Sequence, residues 1–370
     1  MSVAPFPSSY FIAADVGGTH ARVGLVRAGA GGGIDVAAYR KYGCGAYPTL
    51  AAILREFIAT HPEAAAVDRM SIATAGVVHD GEVINSNLPW RISLADLQRE
   101  LALRELYVIN DFAAAAHGVE RLQPSDSRLL TPDVPPPAPG PALVIGPGTG
   151  LGAAVCIPHA AGTVVLPTEA GMTAFAPGDE REIGILRWLQ QRSRHVCTEQ
   201  LVSGPGLVNV HDALCAMRGV EPTLRAPAAI SEAARRGDAL ARDAVLTFCA
   251  LLGSVIGDLA VIAGARVVYV AGGIVPQLLD FIDDSPFRAR LVDKGAMRAV
   301  LERVPVRLIE NERLGVIGAA NWFLQHVDHR QDADAIRNAA GDPPGPDDNL
   351  AGRTAVMPGR QADTTAHGRK

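Results

Sequence analysis

The sequence predicts a two-lobed α/β fold with a central cleft, and three observations support that expectation. Two glycine-rich turns, at Asp15-Val-Gly-Gly-Thr19 and Gly146-Pro-Gly-Thr-Gly150, lie far apart in the chain, each between apolar strand-like segments. After each turn, strand-like and helix-like segments alternate, the pattern of sheets covered by helices. The 370 residues suffice for two domains of roughly 100–200 residues each.

The elements follow in order. Residues 11–27 and 34–41 read as strands joined by Gly29–Gly33. Thr49–Thr60 has helical spacing, with Leu50, Ile53, Leu54, Phe57 and Ile58 on one face. Met70–Ala75 and Gly81–Ile84 are short strands. Ser93 is a candidate N-cap for a helix over Leu94–Leu103, with Asp96 in its first turn. Leu106–Ile109 is an apolar strand that runs directly into Asn110-Asp111 and a helix over Ala113–His117. Pro132–Pro141 holds six prolines and reads as a rigid loop. The strand-turn-strand pattern restarts at Ala142, so the chain carries an internal duplication. Helices are expected over Glu180–Arg192, Gly206–Arg218, Ala229–Arg235 and Gly237–Ala263. Arg266–Ala271 is a strand ended by Gly272-Gly273, a helix starts near Pro276, Pro305–Ile309 is a last strand and Gly315–Val327 a last amphipathic helix. The expected partition is a small domain of residues 1–110 plus 312–330, a large one of 111–311, and a disordered tail of 331–370, too poor in apolar residues to offset the entropy of ordering.

Composition narrows the function classes. A net charge of −5 gives no broad attraction to nucleic acid or an anionic membrane. The five cysteines are scattered and odd in number, so they form no disulfide framework or zinc knuckle and suit a reducing, cytoplasmic setting. The N-terminal segment has no basic and long apolar stretch of the signal-peptide kind. Leu246–Ala265 is apolar enough to mimic a membrane span, but Asp258 and three glycines within it favour a buried helix.

The glycine turns suggest phosphate binding. Glycine permits close backbone approach, and successive N–H groups in a turn make an anion-binding concavity. Gly17, Gly18, Gly148 and Gly150 fill that role, and Thr19 and Thr149 add hydroxyl donors. Neither turn has dinucleotide or Walker spacing. Asp15 beside phosphates would repel them unless a Mg²⁺ ion intervened, often through water; the alternative is a turn-stabilising carboxylate. Asp111, at the C-terminal end of a strand, has two readings on local sequence: a general base that takes a proton from a hydroxyl nucleophile, or an N-cap for the next helix.

Taken in order, Asp15-Val-Gly-Gly-Thr-His-Ala-Arg22, Ile109-Asn-Asp-Phe112, Gly148-Thr-Gly-Leu-Gly152, Ser203-Gly-Pro-Gly-Leu207 and Ala271-Gly-Gly-Ile-Val-Pro276 resemble the bacterial ATP-dependent glucokinases that lack the zinc loop. The resemblance runs from about residue 11 to residue 327. It implies an actin/hexokinase-like (ribonuclease H-like) fold, ATP and Mg²⁺ as cofactors, glucose or a related hexose as substrate, glucose 6-phosphate as product at the entry to glycolysis, and a homodimer. It implies that Asp111 is the catalytic base. Asn87, Asn110, Glu169, the position of Met172 and Glu199 would face the sugar. Gly204 and Gly206, with Gly272 and Gly273, would flank the adenosine. One departure stands out: where the family carries Glu-Gly-Gly-His, this chain has Glu169-Ala-Gly-Met172, and a thioether cannot donate a hydrogen bond to a sugar oxygen. Two alternatives remain at this level: a catalytically weak sugar-binding regulator, or a chaperone-like ATPase of the same fold.

Overall fold

The computed structural model describes residues 10–29, 33–84, 88–135, 138–159 and 162–325; Asn87 and the 331–370 segment lie outside them. The chain divides into two units, Met1–Ala114 with Arg313–Lys370, and Ala115–Glu312.

The first unit begins with β1 (Phe11–Val16), β2 (His20–Ala28) and β3 (Ile34–Gly43), continues through helix α1 (Leu50–Thr60), β4 (Arg69–Thr74), the short strands β5 (Val77–His79), β6 (Glu82–Ile84) and β7 (Ile92–Ser93) and helix α2 (Leu94–Glu100), and reaches β8 (Glu105–Asn110), which runs into helix α3 (Asp111–Val119). Its main sheet has the order β3-β2-β1-β4-β8. The first three strands form an antiparallel meander, and β1, β4 and β8 are parallel. Parallel neighbours need crossover connections, and α1 and α2 lie on those connections. Thr49 starts α1 by accepting the Ala52 N–H at 3.1 Å, and Ser93 starts α2 by accepting that of Asp96, as its spacing predicts. The C-terminal helix, residues 314–325, returns to this unit: Phe323 is buried and stacks on Phe11 at 4.5 Å and edge-on against Tyr107 at 5.4 Å.

The second unit repeats the plan. It contains β9 (Ser127–Leu129), β10 (Ala142–Pro147), β11 (Leu151–His159), β12 (Gly162–Thr168), helices α4 (Glu180–Gln190), α5 (Gly204–Met217), α6 (Pro227–Arg235) and α7 (Ala239–Ala263), strand β13 (Val267–Val270), the short helices α8 (Leu279–Ile282), α9 (Phe287–Val292) and α10 (Arg298–Leu301), and β14 (Val306–Ile309). The sheet order is β12-β11-β10-β13-β14-β9. Again a three-stranded antiparallel meander adjoins parallel strands, here β10, β13 and β14, so the duplication read from the two glycine turns holds at the level of topology. Helix α7 is long and apolar enough to cross a membrane by composition, but Ala244, Phe248, Leu252 and Ile256 bury one face in the core of this unit.

Several boundaries differ from the sequence reading for identifiable reasons. Helix α2 stops at Glu100 rather than Leu103 because Ala102 adopts a left-handed φ of 51° and the Leu103 N–H turns back to the Gln98 carbonyl at 2.9 Å, a glycine-type stop made without glycine. Helix α5 begins two residues before Gly206 because Ser203 caps it by accepting the Gly206 N–H. Strand β12 and helices α9 and α10 were absent from the sequence reading; β12 is an edge strand with polar and apolar residues on both sides of its pleat.

Candidate active site

In the first unit the candidate residues gather at the C-terminal ends of the parallel strands. Pairing aligns Val16 with Thr74 and Thr74 with Asn110. The Gly17–Thr19 turn and the Asn110-Asp111 corner thus leave the same sheet edge, separated by two strand spacings, or about 10 Å. The turn is braced from behind: the Gly17 N–H donates to His20 at 3.0 Å, the Cys44 N–H to the Thr19 carbonyl at 2.9 Å, and the Cys44 thiol to the Gly17 carbonyl at 3.3 Å. Thr74 Oγ1 donates to the Val16 carbonyl at 3.0 Å, fixing the end of β1. A Cβ on Gly17 would meet only the His20 carbonyl at an ordinary 3.7 Å, so the fold itself does not demand glycine there.

Asp15 lies opposite Arg22 across the hairpin, and their side chains form an ion pair at 3.2 Å. Burial pushes the Asp15 carboxyl above the usual carboxylate range, and Arg22 opposes that shift only in part. Arg22 Nε is itself buried and has no hydrogen-bond partner among the described residues. The helix of residues 314–325 approaches so closely that a Cβ on Gly315 would lie 2.6 Å from Asp15 Cγ.

Asn110 and Asp111 divide the work at the start of α3. Asn110 Oδ1 accepts the N–H groups of Phe112 at 3.0 Å and Ala113 at 3.1 Å, which is the capping role. This corrects the alternative that made Asp111 the cap: Asp111 is the first helical residue, half-buried, and its Oδ1 accepts the adjacent Phe112 N–H at 2.9 Å.

In the second unit the other candidate residues converge on the second glycine turn. The Gly148 N–H donates to the Gly150 carbonyl at 2.8 Å, and the Gly204 N–H, at the start of α5, donates to the Gly148 carbonyl at 2.8 Å. The turn therefore sits at a helix N-terminus, whose dipole favours an anion, while the helix's own first N–H groups are taken up by Gly148 and Ser203. Gly272, with φ of 88°, packs its Cα face on the Pro147 carbonyl, so Gly272-Gly273 adjoins the same turn. The glycines then separate by cause. A Cβ would strike the Pro147 carbonyl at 2.5 Å from Gly272, Leu201 backbone at 2.5 Å from Gly206, and Glu199 Oε2 at 2.5 Å from Gly150; their own neighbours account for these three. Gly148 and Gly273 face nothing within 4 Å, so packing does not demand glycine at either position. Thr149 lies between Gly148 and Gly150 in this turn.

Glu199 is the hub of this half. Its Oε2 accepts the Leu151 N–H at 2.8 Å, and its carbonyl accepts the Ser203 hydroxyl at 2.7 Å. Glu169 precedes the Ala170–Met172 turn and accepts the Met172 N–H on its carbonyl at 2.9 Å. The two acidic segments are tied together by the Thr198 N–H to the Thr173 carbonyl at 2.9 Å and by the Thr173 and Thr198 hydroxyls at 3.1 Å. The Met172 side chain is 47% exposed. His195 Nε2 lies 2.9 Å from the Met172 carbonyl oxygen and so carries the proton of that bond.

Arg22, Cys44, Thr74, Leu151, His195 and Gly315 were absent from the sequence-derived site. Arg22 had a signal, since the hairpin register puts it opposite Asp15. The others reach the site through tertiary contacts that no local pattern announces.

The glucokinase family model matches residues 12–326. A glucokinase-like protein of Xylella fastidiosa is 44% identical over 319 residues, covering 85% of this chain and 94% of that protein. Among solved structures, a glucokinase from an Antarctic psychrotroph superposes with a TM-score of 0.74 at 30% identity, covering 85% of this chain and 98% of its own. A ROK family glucokinase from Streptomyces griseus, in complex with glucose and AMPPNP, superposes with a TM-score of 0.54 at 25% identity, covering 85% and 99%.

Proposed function

The chain belongs to the glucokinase family, and from that premise we propose that it transfers the γ-phosphoryl group of ATP to the 6-hydroxyl of glucose. The observation that carries this reading at residue level is the shared sheet edge of the Asp15–Thr19 turn and the Asn110-Asp111 corner. Asp111 accepts the proton of the sugar hydroxyl as its oxygen attacks the γ-phosphorus; the bond to the β–γ bridging oxygen breaks, and ADP leaves. Asn110, its oxygen committed to the helix cap, offers its amide N–H groups to sugar oxygens. Glu169 and Glu199 accept hydrogen bonds from neighbouring hydroxyls. N–H groups of both glycine turns, other than those of Gly17 and Gly148, which bond within the turns, and the hydroxyls of Thr19 and Thr149 bind phosphate oxygens, with Gly204, Gly206, Gly272 and Gly273 beside the adenosine.

Mg²⁺ is commonly held by one or two carboxylates together with water and substrate phosphates. Asp15, half-buried and only partly neutralised by Arg22, fits as the carboxylate that holds it. Bound there, the ion would neutralise charge on the β- and γ-phosphate oxygens. A cytoplasmic site of action, a place at the entry to glycolysis and a homodimer belong to the same proposal and rest on family resemblance.

The test is a coupled kinase assay over a panel of hexoses, extended to high sugar concentration, with Asp111→Ala beside the unmodified protein. The expected result is Mg²⁺-dependent glucose 6-phosphate formation that the variant loses by about 10²–10⁴-fold while still binding sugar. A second reading, a sugar-binding regulator with little turnover, is favoured by Met172 at a position where the family carries an imidazole. Tight sugar binding with no sugar phosphate at any concentration would select it.

A further inference from the structure

Glu199 has two sides, and the function above uses only one. Its Oε2 accepts the Leu151 N–H at 2.8 Å, and Leu151 is the residue directly after the second glycine turn. The fit between carboxylate and turn is close: a Cβ on Gly150 would lie 2.5 Å from Oε2 and 3.2 Å from Cδ and would displace the carboxylate from its bond to Leu151. Gly171, in the turn that follows Glu169, is restricted in the same way, with the Leu151 carbonyl at 2.5 Å and Glu199 Cβ at 3.4 Å from its absent Cβ. The backbone of the same segment extends the clamp. Ser203 Oγ binds the Glu199 carbonyl at 2.7 Å and caps α5, whose first N–H holds the Gly148 carbonyl at 2.8 Å. One carboxylate oxygen therefore holds the phosphate turn, while the other has no role in that clamp.

We infer that Glu199 is a positioning residue for the nucleotide phosphates as well as a sugar ligand, and that it links the two binding events. This rests on the kinase reading of the site. The argument is one of shared atoms. A hydrogen bond from a sugar hydroxyl to Oε1 fixes the carboxylate plane, and that plane sets where Oε2 holds the Leu151 N–H. The position of Leu151 N in turn sets the curvature of the Gly148–Gly150 turn that cradles phosphate. Sugar on one oxygen thus favours the turn geometry that binds nucleotide, and by linkage nucleotide favours sugar to the same extent. A glutamate that served the sugar alone would leave nucleotide affinity untouched when no sugar is present.

Calorimetry with a non-hydrolysable ATP analogue and Mg²⁺, with and without glucose, separates these cases. In the unmodified protein glucose should tighten analogue binding by a factor within about 5- to 150-fold. In Glu199→Ala, analogue affinity measured without sugar should fall by at least about fivefold, and the tightening by glucose should shrink toward one. Glu199→Gln retains a carbonyl oxygen able to accept the Leu151 N–H, so it should restore the sugar-free analogue affinity to within about twofold. Circular dichroism and melting of each variant guard against a simple folding defect, and the Gln rescue excludes one. An Ala variant that binds analogue normally without sugar overturns the inference, as does an unmodified protein that binds both ligands without mutual effect. An unmodified protein that binds neither ligand overturns the kinase reading itself.

Discussion

At the residue scale, the two acidic site candidates of the first unit are set apart by their surroundings. Asn110 supplies the cap of α3, so the helix does not need Asp111 for that purpose. Asp15 is held where ionisation is unfavourable, and the sign of the consequence can be worked out. Between the ordinary carboxylate value of 3.8 and its elevated folded pKa, the folded chain holds a proton that the unfolded chain has released. Stability therefore falls as pH rises through that window and stays reduced above it. Asp15→Asn removes the titration but keeps an acceptor for Arg22. Its melting temperature relative to the unmodified protein should rise from pH 4 toward pH 7, in metal-free and nucleotide-free buffer, while Mg²⁺-dependent turnover is lost. A difference that stays flat across that range would show that Arg22 fully offsets the burial. Met172 gives the complementary case on the sugar side. Its backbone is fixed by Glu169 and His195 whatever side chain it carries, and that side chain points away from the core. Met172→His should then add a donor without disturbing the turn, lowering the KM for glucose by roughly 5- to 150-fold and leaving the KM for ATP unchanged. An unaltered glucose KM would mean that another group already satisfies that hydroxyl.

At the element scale, most of the fold was legible because its signals are local. The two hairpins, the Ser93 cap and the buried face of α7 follow from turn residues, capping chemistry and periodicity, and the structure agrees with each. What was not legible carries no strong local pattern. Strand β12 lacks strong alternation and is defined by pairing with β11; α2 ends on a left-handed alanine that propensity would not select. The glycines show the same division. From sequence, Gly148, Gly150, Gly204, Gly206, Gly272 and Gly273 look alike as ligand-facing residues. The packing assigns Gly150, Gly206 and Gly272 to their own neighbours and leaves Gly148 and Gly273 open. Two substitutions test that division. Gly148→Ala meets nothing and should change stability by no more than about 0.5 kcal/mol, yet raise the KM for ATP if phosphate approaches the turn. Gly206→Ala drives a methyl into Leu201 backbone and should cost about 1–3 kcal/mol in denaturant unfolding. Equal stability of the two variants would refute the assignment.

At the scale of the whole molecule, the chain has to return to its beginning before the first unit is complete. Its sheet is made by residues 11–110, but one side of β1 is covered by the helix of residues 314–325, after the entire second unit has been inserted. Phe323 is the centre of that contact. It is fully buried, stacked on Phe11, edge-on to Tyr107, with the Arg69 guanidinium over its ring at 5.7 Å. At its other end the same helix brings Gly315 against the Asp15 carboxylate and seats Val316 where Gly24 has no side chain to obstruct it. Packing and function therefore meet on one element: what anchors the helix also fixes the wall against which Asp15 rests. Phe323→Ala leaves a cavity between β1, β8 and the helix and should cost about 3–5 kcal/mol of stability. Because the helix is joined to the sheet by these contacts rather than by sequence, the loss should loosen Asp15 as well. The KM for Mg²⁺-ATP should then rise. Phe323→Leu, which refills most of the volume, should recover the larger part of both effects. A destabilised Phe323→Ala protein with an unchanged KM for Mg²⁺-ATP would show that Asp15 is held by Arg22 and its strand alone, and that the returning helix serves only the core.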